Sequence, residues 1–221
     1  MLLPELIKGI VIRREKRFKL YFSYEGKTHL AYLPNPGRLQ EIIYEGATAY
    51  FKETISSRRK TSFEAVLGTQ GENLVNLNAS AANSIFLENI YRMPFKVGSV
   101  KKEYTFKDSR FDFLVNDEIL LEVKSCTLVK EGLGLFPDAP TVRGTKHLRT
   151  LLEWPGKKAI IFVVQRCDAR LITANYDTDP EFGNAFNELF TKADYLLGFT
   201  CNVDLSQIKF KEFIPVVRKP E

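Results

Sequence analysis

The sequence predicts an α+β protein in two parts: a small closed β-barrel over residues 1–78, then an α/β unit with a mixed central sheet over residues 79–221. Three observations carry this reading. The first 78 residues hold five or six short strands separated by turns, an Ala-rich helical segment opens immediately afterwards, and beyond it helices alternate with strands. With 44% hydrophobic residues in 221, the chain has ample apolar material for packed cores.

The predicted barrel strands are LIKGIVIRR, RFKLYFSY, KTHLAYLP, GATAYFKET, FEAVLGTQ and LVNLN, with Glu25-Gly26 as the turn between the second and third. Their number and shortness fit an OB-like barrel, a fold that often takes nucleic acid in a groove across its strands. Between the third and fourth strands, LPNPGRLQEII combines a Pro-Asn-Pro-Gly turn with a helical turn. Asn78 is the expected N-cap of ASAANSIFLENIYRM, where Ala82, Phe86 and Ile90 recur at helical spacing. A hairpin over 110–128 comes next, then a Gly/Pro-rich loop over 131–140. A helix is expected from Thr145 to Trp154, stopped by Pro155. The strand AIIFVVQ, a helix capped by Asp179-Pro180 with Phe182, Phe186, Leu189, Phe190 and Ala193 on one stripe, and the strands LLGFTCNV and IKFKEFIP complete the chain.

Composition narrows the function classes. No apolar run approaches the ~20 residues of a membrane helix, and the N-terminus lacks the basic start and long apolar middle of a signal peptide, so a cytosolic protein with no membrane partner is expected. Three scattered cysteines form no CxxC pair, which argues against a zinc site or a disulfide framework. The net charge of +5 is unevenly spread. Residues 1–78 carry +4 of it and the remainder +1, so the basic surplus lies in the barrel.

The hairpin RFDFLVNDEILLEVKSCTL carries the chemistry. Its strands are apolar except at Asp112, Glu122 and Lys124. A three-residue loop at 116–118 pairs Leu114 with Leu120, Asp112 with Glu122 and Arg110 with Lys124. That register alone gathers Phe111, Phe113, Leu121 and Val123 in one core. Facing carboxylates repel unless something neutralises them, and a hard divalent cation would do so. Mg²⁺ or Mn²⁺ on Asp112 and Glu122, with Lys124 beside them, would form the catalytic centre of a PD-(D/E)xK nuclease. The competing reading is ordinary solvent-facing charge.

LPNPGRL (33–39), RFDFLV (110–115), EVKSCTL (122–128) and FPDAPTVRGTKHLRTL (136–151), in this order, resemble the sugar fermentation stimulation protein A family over nearly the whole chain. The resemblance implies an OB-like barrel followed by an α/β PD-(D/E)xK nuclease-like domain, DNA binding, and a regulatory link to sugar metabolism in enteric bacteria. It puts the metal carboxylates on Asp112 and Glu122 and the catalytic lysine on Lys124. The literal Pro137-Asp138 follows the Glu-x-Lys and is not the superfamily's first motif. The acid often supplied by the first helix has no clear counterpart: Glu88 lies off the apolar stripe and can pair with Arg92, while Asn83 is a neutral candidate contributor.

Candidate nucleic-acid contacts lie elsewhere. Arg143, Lys146, His147 and Arg149 gather at a helix start suited to phosphate, or else form a solvated face with an Arg149–Glu153 pair. Arg58, Arg59 and Lys60 in SSRRKTS resemble a phosphate-gripping loop, and Arg38 follows a rigid turn where it can meet phosphate or the second domain. Phe18, Tyr21, Phe22, Tyr24 and Tyr32 offer base-stacking surfaces, although most aromatics at strand spacing are core. The expected function is DNA binding of low sequence selectivity, single- or double-stranded, with RNA as a further ligand. Mg²⁺- or Mn²⁺-dependent phosphodiester hydrolysis is the alternative, and a non-catalytic protein-interaction scaffold the third. The sequence sets no oligomeric state.

Overall fold

The computed structural model describes residues 1–54 and 61–218. Six barrel strands form, β1 (Ile7–Glu15), β2 (Lys19–Tyr24), β3 (Lys27–Tyr32), β4 (Thr48–Glu53), β5 (Phe63–Gln70) and β6 (Asn73–Asn76). The sheet order β3-β2-β1-β4-β5-β6 closes on itself because β3 also pairs in parallel with β5 at Ala31–Phe63 and Tyr32–Glu64. The ring β1-β2-β3-β5-β4 is that of an OB barrel, and closure removes the exposed edges that a sheet this short would otherwise present. Inside, Phe22 and Phe51 stack at 3.7 Å over Gly9. A Cβ at Gly9 would stand 2.4 Å from Phe22, so the strand passes there only without a side chain.

The second part is a three-layer sandwich. Its six-stranded mixed sheet runs in the order β15-β14-β12-β9-β8-β7, comprising β7 (Val100–Phe106), β8 (Ser109–Val115), β9 (Ile119–Cys126), β12 (Lys157–Val164), β14 (Tyr195–Val203) and β15 (Ile208–Ile214). β9 and β12 are parallel neighbours covered on both faces, which is why both read as nearly continuous apolar runs. Helix α1 (Ala81–Glu88) packs Ala81, Ala82, Ile85 and Phe86 onto Phe113, Val115, Leu121 and Val123. On the opposite face α2 (Val142–Leu152) and α3 (Pro180–Phe190) bury Leu148, Leu151, Phe182 and Phe186 against Leu120, Ile160 and Phe162. Among the described residues no helix is long and apolar enough to cross a membrane.

Several local expectations need correction. The α1 N-cap is Ser80, not Asn78, whose Oδ1 instead accepts from the Ser80 amide and hydroxyl in a turn. Glu88 pairs with the N-terminal ammonium rather than with Arg92. Helix α2 begins at Val142, earlier than Thr145, because the Thr141 hydroxyl caps Gly144 N at 3.0 Å. The Gly/Pro-rich segment contains a strand, β11 (Leu133–Phe136), which joins β10 (Val129–Lys130) to β13 (Leu171–Ala174) in a small second sheet. Phe111 leaves the layer of Phe113 and packs on the α2 side, for a reason that lies in the site itself.

Helix α3 has its expected cap, with Asp179 Oδ1 accepting from Phe182 N at 2.9 Å. Its other oxygen accepts from Thr141 N at 2.7 Å, so one carboxylate fixes the starts of both α3 and α2. Asp179→Ala is therefore expected to cost about 2 kcal/mol, the upper end for a lost cap. Chemical denaturation checks this, and a cost below that of Thr141→Ala would contradict the double role.

Polar contacts seat the barrel on the carboxyl ends of β9 and β12. Asp138 Oδ2 accepts from Leu39 N at 2.8 Å, Asn76 N donates to Gln165 O at 3.1 Å, and Ala79 N donates to Pro34 O at 3.0 Å. Arg166 is fully buried yet satisfied, with Asp168 on Nε and Nη2 and with Gln70 of the barrel and Thr127 O on Nη1. These bonds leave an open cleft between the two parts, at the strand ends where ligand crevices form in parallel sheets.

Candidate active site

The cleft has a volume of about 690 Å³ and is walled by Asn35, Pro36 and Gly37 of the barrel and by β8, β9 and the start of α2. Its floor follows from the hairpin register. Val115, Leu114 and Phe113 pair with Ile119, Leu120 and Leu121, as the three-residue loop requires, and there the ladder stops. Beyond it the Asp112 side chain stands in for a backbone acceptor, its Oδ2 taking a hydrogen bond from Val123 N at 2.8 Å. On the other side β7 pairs with β8 except at Glu103, opposite Asp112, whose φ of 53° lies in the left-handed region. Pairing of β8 thus lapses on both sides at Asp112, and Phe111 just before it lies on the α2 side of the sheet, its ring 5.4 Å from that of His147.

Asp112, Glu122 and Lys124 all line the cleft, and Asn83 of α1 joins them by donating Nδ2 to Asp112 Oδ1 at 2.6 Å. Glu122 and Lys124 are only 5% and 7% exposed. Lys124 Nζ donates to Glu122 Oε1 at 2.7 Å, and His147 Nδ1 lies 2.7 Å from the same oxygen. Arg143 Nε approaches His147 Nε2 over a long 3.4 Å. A guanidinium can only donate, so Nε2 accepts and the ring proton sits on Nδ1, pointing at Glu122. His147, expected on a phosphate-binding face, is thus a buried partner of Glu122.

Burial raises the Asp112 carboxyl to about 6, helped by the charge of Glu122 and opposed by Val123 N, Asn83 and Lys124. Burial also pushes Glu122 upward, but Lys124 and His147 more than offset it and hold Glu122 below its ordinary value. Among the described residues Glu122 Oε2 is buried without a hydrogen-bond partner. Among the described residues no group of three or more His, Cys, Asp or Glu side chains forms a metal cluster. Two carboxylates, one with an unpartnered oxygen, suit a hard ion such as Mg²⁺, which takes one or two carboxylates and completes its shell with water and phosphate.

The remaining candidates divide. Arg143 lines the cleft together with Arg17 and Arg110, two cations that hairpin reasoning and strand patterning did not assign to a ligand. Lys146 and Arg149 point elsewhere, paired with Asp108 at 2.6 Å and Glu181 at 2.8 Å. The backbone carbonyl of Arg38 accepts from Arg14, and its neighbour Leu39 is gripped by Asp138. The LPNPGRL turn therefore meets the second domain directly. Arg58, Arg59 and Lys60 lie outside the described residues. Of the barrel aromatics, Phe22 is core, Tyr21 lies under Arg13 at 3.9 Å, and Phe18 and Tyr32 are exposed.

Comparison with known proteins agrees with this architecture. Residues 12–77 match the SfsA N-terminal OB domain, and residues 76–207 match the sugar fermentation stimulation protein RE domain. A sugar fermentation stimulation protein homolog of Aquifex aeolicus is 39% identical over 214 residues, covering 96% of this chain and 98% of its own. One from Caldanaerobacter subterraneus is 36% identical over 222 residues, covering 96% and 97%. The solved structure of Pyrococcus furiosus SfsA in complex with Ca²⁺ superposes with a TM-score of 0.88 at 20% identity, over 98% of each chain. With two domain models in register and relatives matched end to end, the chain belongs to the sugar fermentation stimulation protein family.

Proposed function

We propose that the chain binds DNA in the cleft between its domains and hydrolyses phosphodiester bonds there, with Mg²⁺ or Mn²⁺ held by Asp112 and Glu122. The observation that carries this reading is the Oε2 of buried Glu122, unpartnered among the described residues, beside a second carboxylate whose proton affinity is raised by burial and, after that, by the charge of Glu122. The Ca²⁺ named for the Pyrococcus furiosus protein, another hard ion, supports the choice of metal class. When bound, such an ion offsets charge on a phosphoryl oxygen and acidifies water. The chain's own groups prepare the rest. Asn83 and Val123 N fix the Asp112 carboxylate, His147 orients Glu122, and the Lys124 ammonium stands where charge develops. Arg17, Arg110 and Arg143 supply backbone phosphate contacts.

Incubating DNA and RNA substrates with Mg²⁺ or Mn²⁺ tests the reading. Wild type is expected to cleave, and Asp112→Ala and Lys124→Ala to lose about 10²-fold or more. Equal cleavage by all three would point to a contaminant and reject the assignment. Phosphate-dominated affinity is expected to fall steeply between about 50 and 200 mM salt. A second reading, binding without catalysis, is favoured by one observation: Lys124 and His147 already share Glu122 Oε1, so much of its charge is compensated by the chain itself. It predicts no cleavage by wild type, and DNA affinity that survives Asp112→Ala. Binding of neither DNA nor RNA would leave the protein-interaction reading.

A further inference from the structure

We infer that the cleft selects single-stranded polynucleotide, with Phe18 and Tyr32 at the barrel edge forming the platform on which its bases stack. This rests on the reading of the cleft as a polynucleotide site and adds which form of polynucleotide enters. The cleft's 690 Å³ is of the size that takes a drug-like ligand, which is enough for a short stretch of one strand. Glu122 and Lys124 lie at its floor, almost wholly buried, so a phosphate must descend between the walls to reach them. Those walls are tied to each other. Asp138 grips Leu39 N, Ala79 N bonds Pro34 O, and Gln165 bonds Asn76 through both backbone and side chain, so the cleft does not widen without losing buried hydrogen bonds.

The rim of the cleft carries exposed aromatics. Phe18 and Tyr32 are 42% and 38% exposed, and their rings lie 6.0 Å apart, tilted by 31°. Leu33 N bonds Phe18 O, which brings the two ends of the β2–β3 hairpin together. Arg17, next to Phe18, lines the cleft, and so does Asn35, three residues beyond Tyr32. Unlike Tyr21, which is covered by Arg13, and Phe22, which is core, this pair is exposed beside a cation that lines the cleft. Stacking faces are reachable by unpaired bases and hidden in a duplex. Arg17, Arg110 and Arg143 then match the backbone charge of the strand as it passes inward.

The test is fluorescence anisotropy of the intact protein, in EDTA to prevent cleavage. The probes are an unstructured single-stranded oligodeoxynucleotide, its blunt duplex, and the duplex with a short single-stranded tail. The single strand and the tailed duplex are expected to bind at least about tenfold more tightly than the blunt duplex. The Phe18→Ala/Tyr32→Ala variant is expected to lose about tenfold or more in affinity for the single strand. Its melting temperature and its weak duplex binding should stay as in wild type, because both rings are exposed. A blunt duplex bound as tightly as the single strand, or single-strand affinity indifferent to the double substitution, overturns the inference while leaving a polynucleotide site in place. Binding of none of the three probes overturns the underlying reading, and the inference falls with it.

Discussion

Asp112→Asn is expected to stabilise the protein at pH 8 by an amount on the order of 3 kcal/mol, and to remove a loss of stability that the wild type suffers between about pH 4 and pH 6. The sign follows from proton binding. The folded-state value of about 6 lies above the ordinary 3.8, so between them the folded chain holds more protons than the unfolded one. Stability therefore falls as pH rises through that window, and the loss is complete above the folded value. A gap of about two units at 1.36 kcal/mol each sets the magnitude. The amide keeps an acceptor for Val123 N, and its NH₂ meets Asn83 if that side chain turns its own amide over. Glu41 and Asp138 are also raised by burial, so the wild-type profile contains their titrations too. The difference between the two proteins' profiles isolates Asp112. In a chain of this length the gain corresponds to a melting temperature higher by roughly 6–12 °C. Parallel profiles would show that Asp112 is not held above its ordinary value by burial and the charge of Glu122.

The same substitution separates stability from ligand binding. A divalent ion that binds the folded state alone adds RT ln(1 + [L]/Kd), about 2.7 kcal/mol at one hundred times Kd. Mg²⁺ should therefore raise the wild-type melting temperature at pH 8 and leave Asp112→Asn unmoved, since the variant lacks half of the carboxylate pair. A protein stabilised equally with and without Asp112 would place the ion elsewhere.

What the sequence disclosed, and what it withheld, divides along the range of the interactions. The hairpin register was legible as far as Phe113–Leu121, because one slip would turn Leu121 and Val123 out of the α1-side core, but the ladder pairs expected beyond it, Asp112 with Glu122 and Arg110 with Lys124, do not form. Phe111 was not legible, because the alternation fails at Asp112, where pairing with both neighbouring strands lapses. His147 was misread as part of a charged face since Arg143, Lys146 and Arg149 surround it in the chain. Yet Gly144, His147, Leu148 and Leu151 form a buried stripe at helical spacing, a signal that places the imidazole inward. Arg17 and Asp138 had no local signal, because the cleft they help shape exists only once two separately patterned domains meet. The Pro-Asp that fell in the wrong place for a nuclease motif is a clasp between those domains.

Glu122→Ala is expected to cost about 3–5 kcal/mol, more than any surface change in the chain, because it strands the Lys124 ammonium in a buried site. The lysine side chain is 8% exposed, and the described structure gives its Nζ one hydrogen-bonded partner, Glu122 Oε1. His147 loses its acceptor as well. The double variant Glu122→Leu/Lys124→Met removes both charges and leaves apolar groups of similar bulk, so it should recover most of that loss. About 1–3 kcal/mol should persist for the unsatisfied Nδ1–H of His147. Urea denaturation of the two single variants and the double variant measures the coupling directly. A Glu122→Ala cost below about 1 kcal/mol would mean that water reaches Lys124 and that the pair is not buried in solution. With the coupling as expected and the double variant folded but inert towards DNA and Mg²⁺, stability ceases to be a reason for these two charges to lie beneath the cleft. The remaining reason is the chemistry of what enters it.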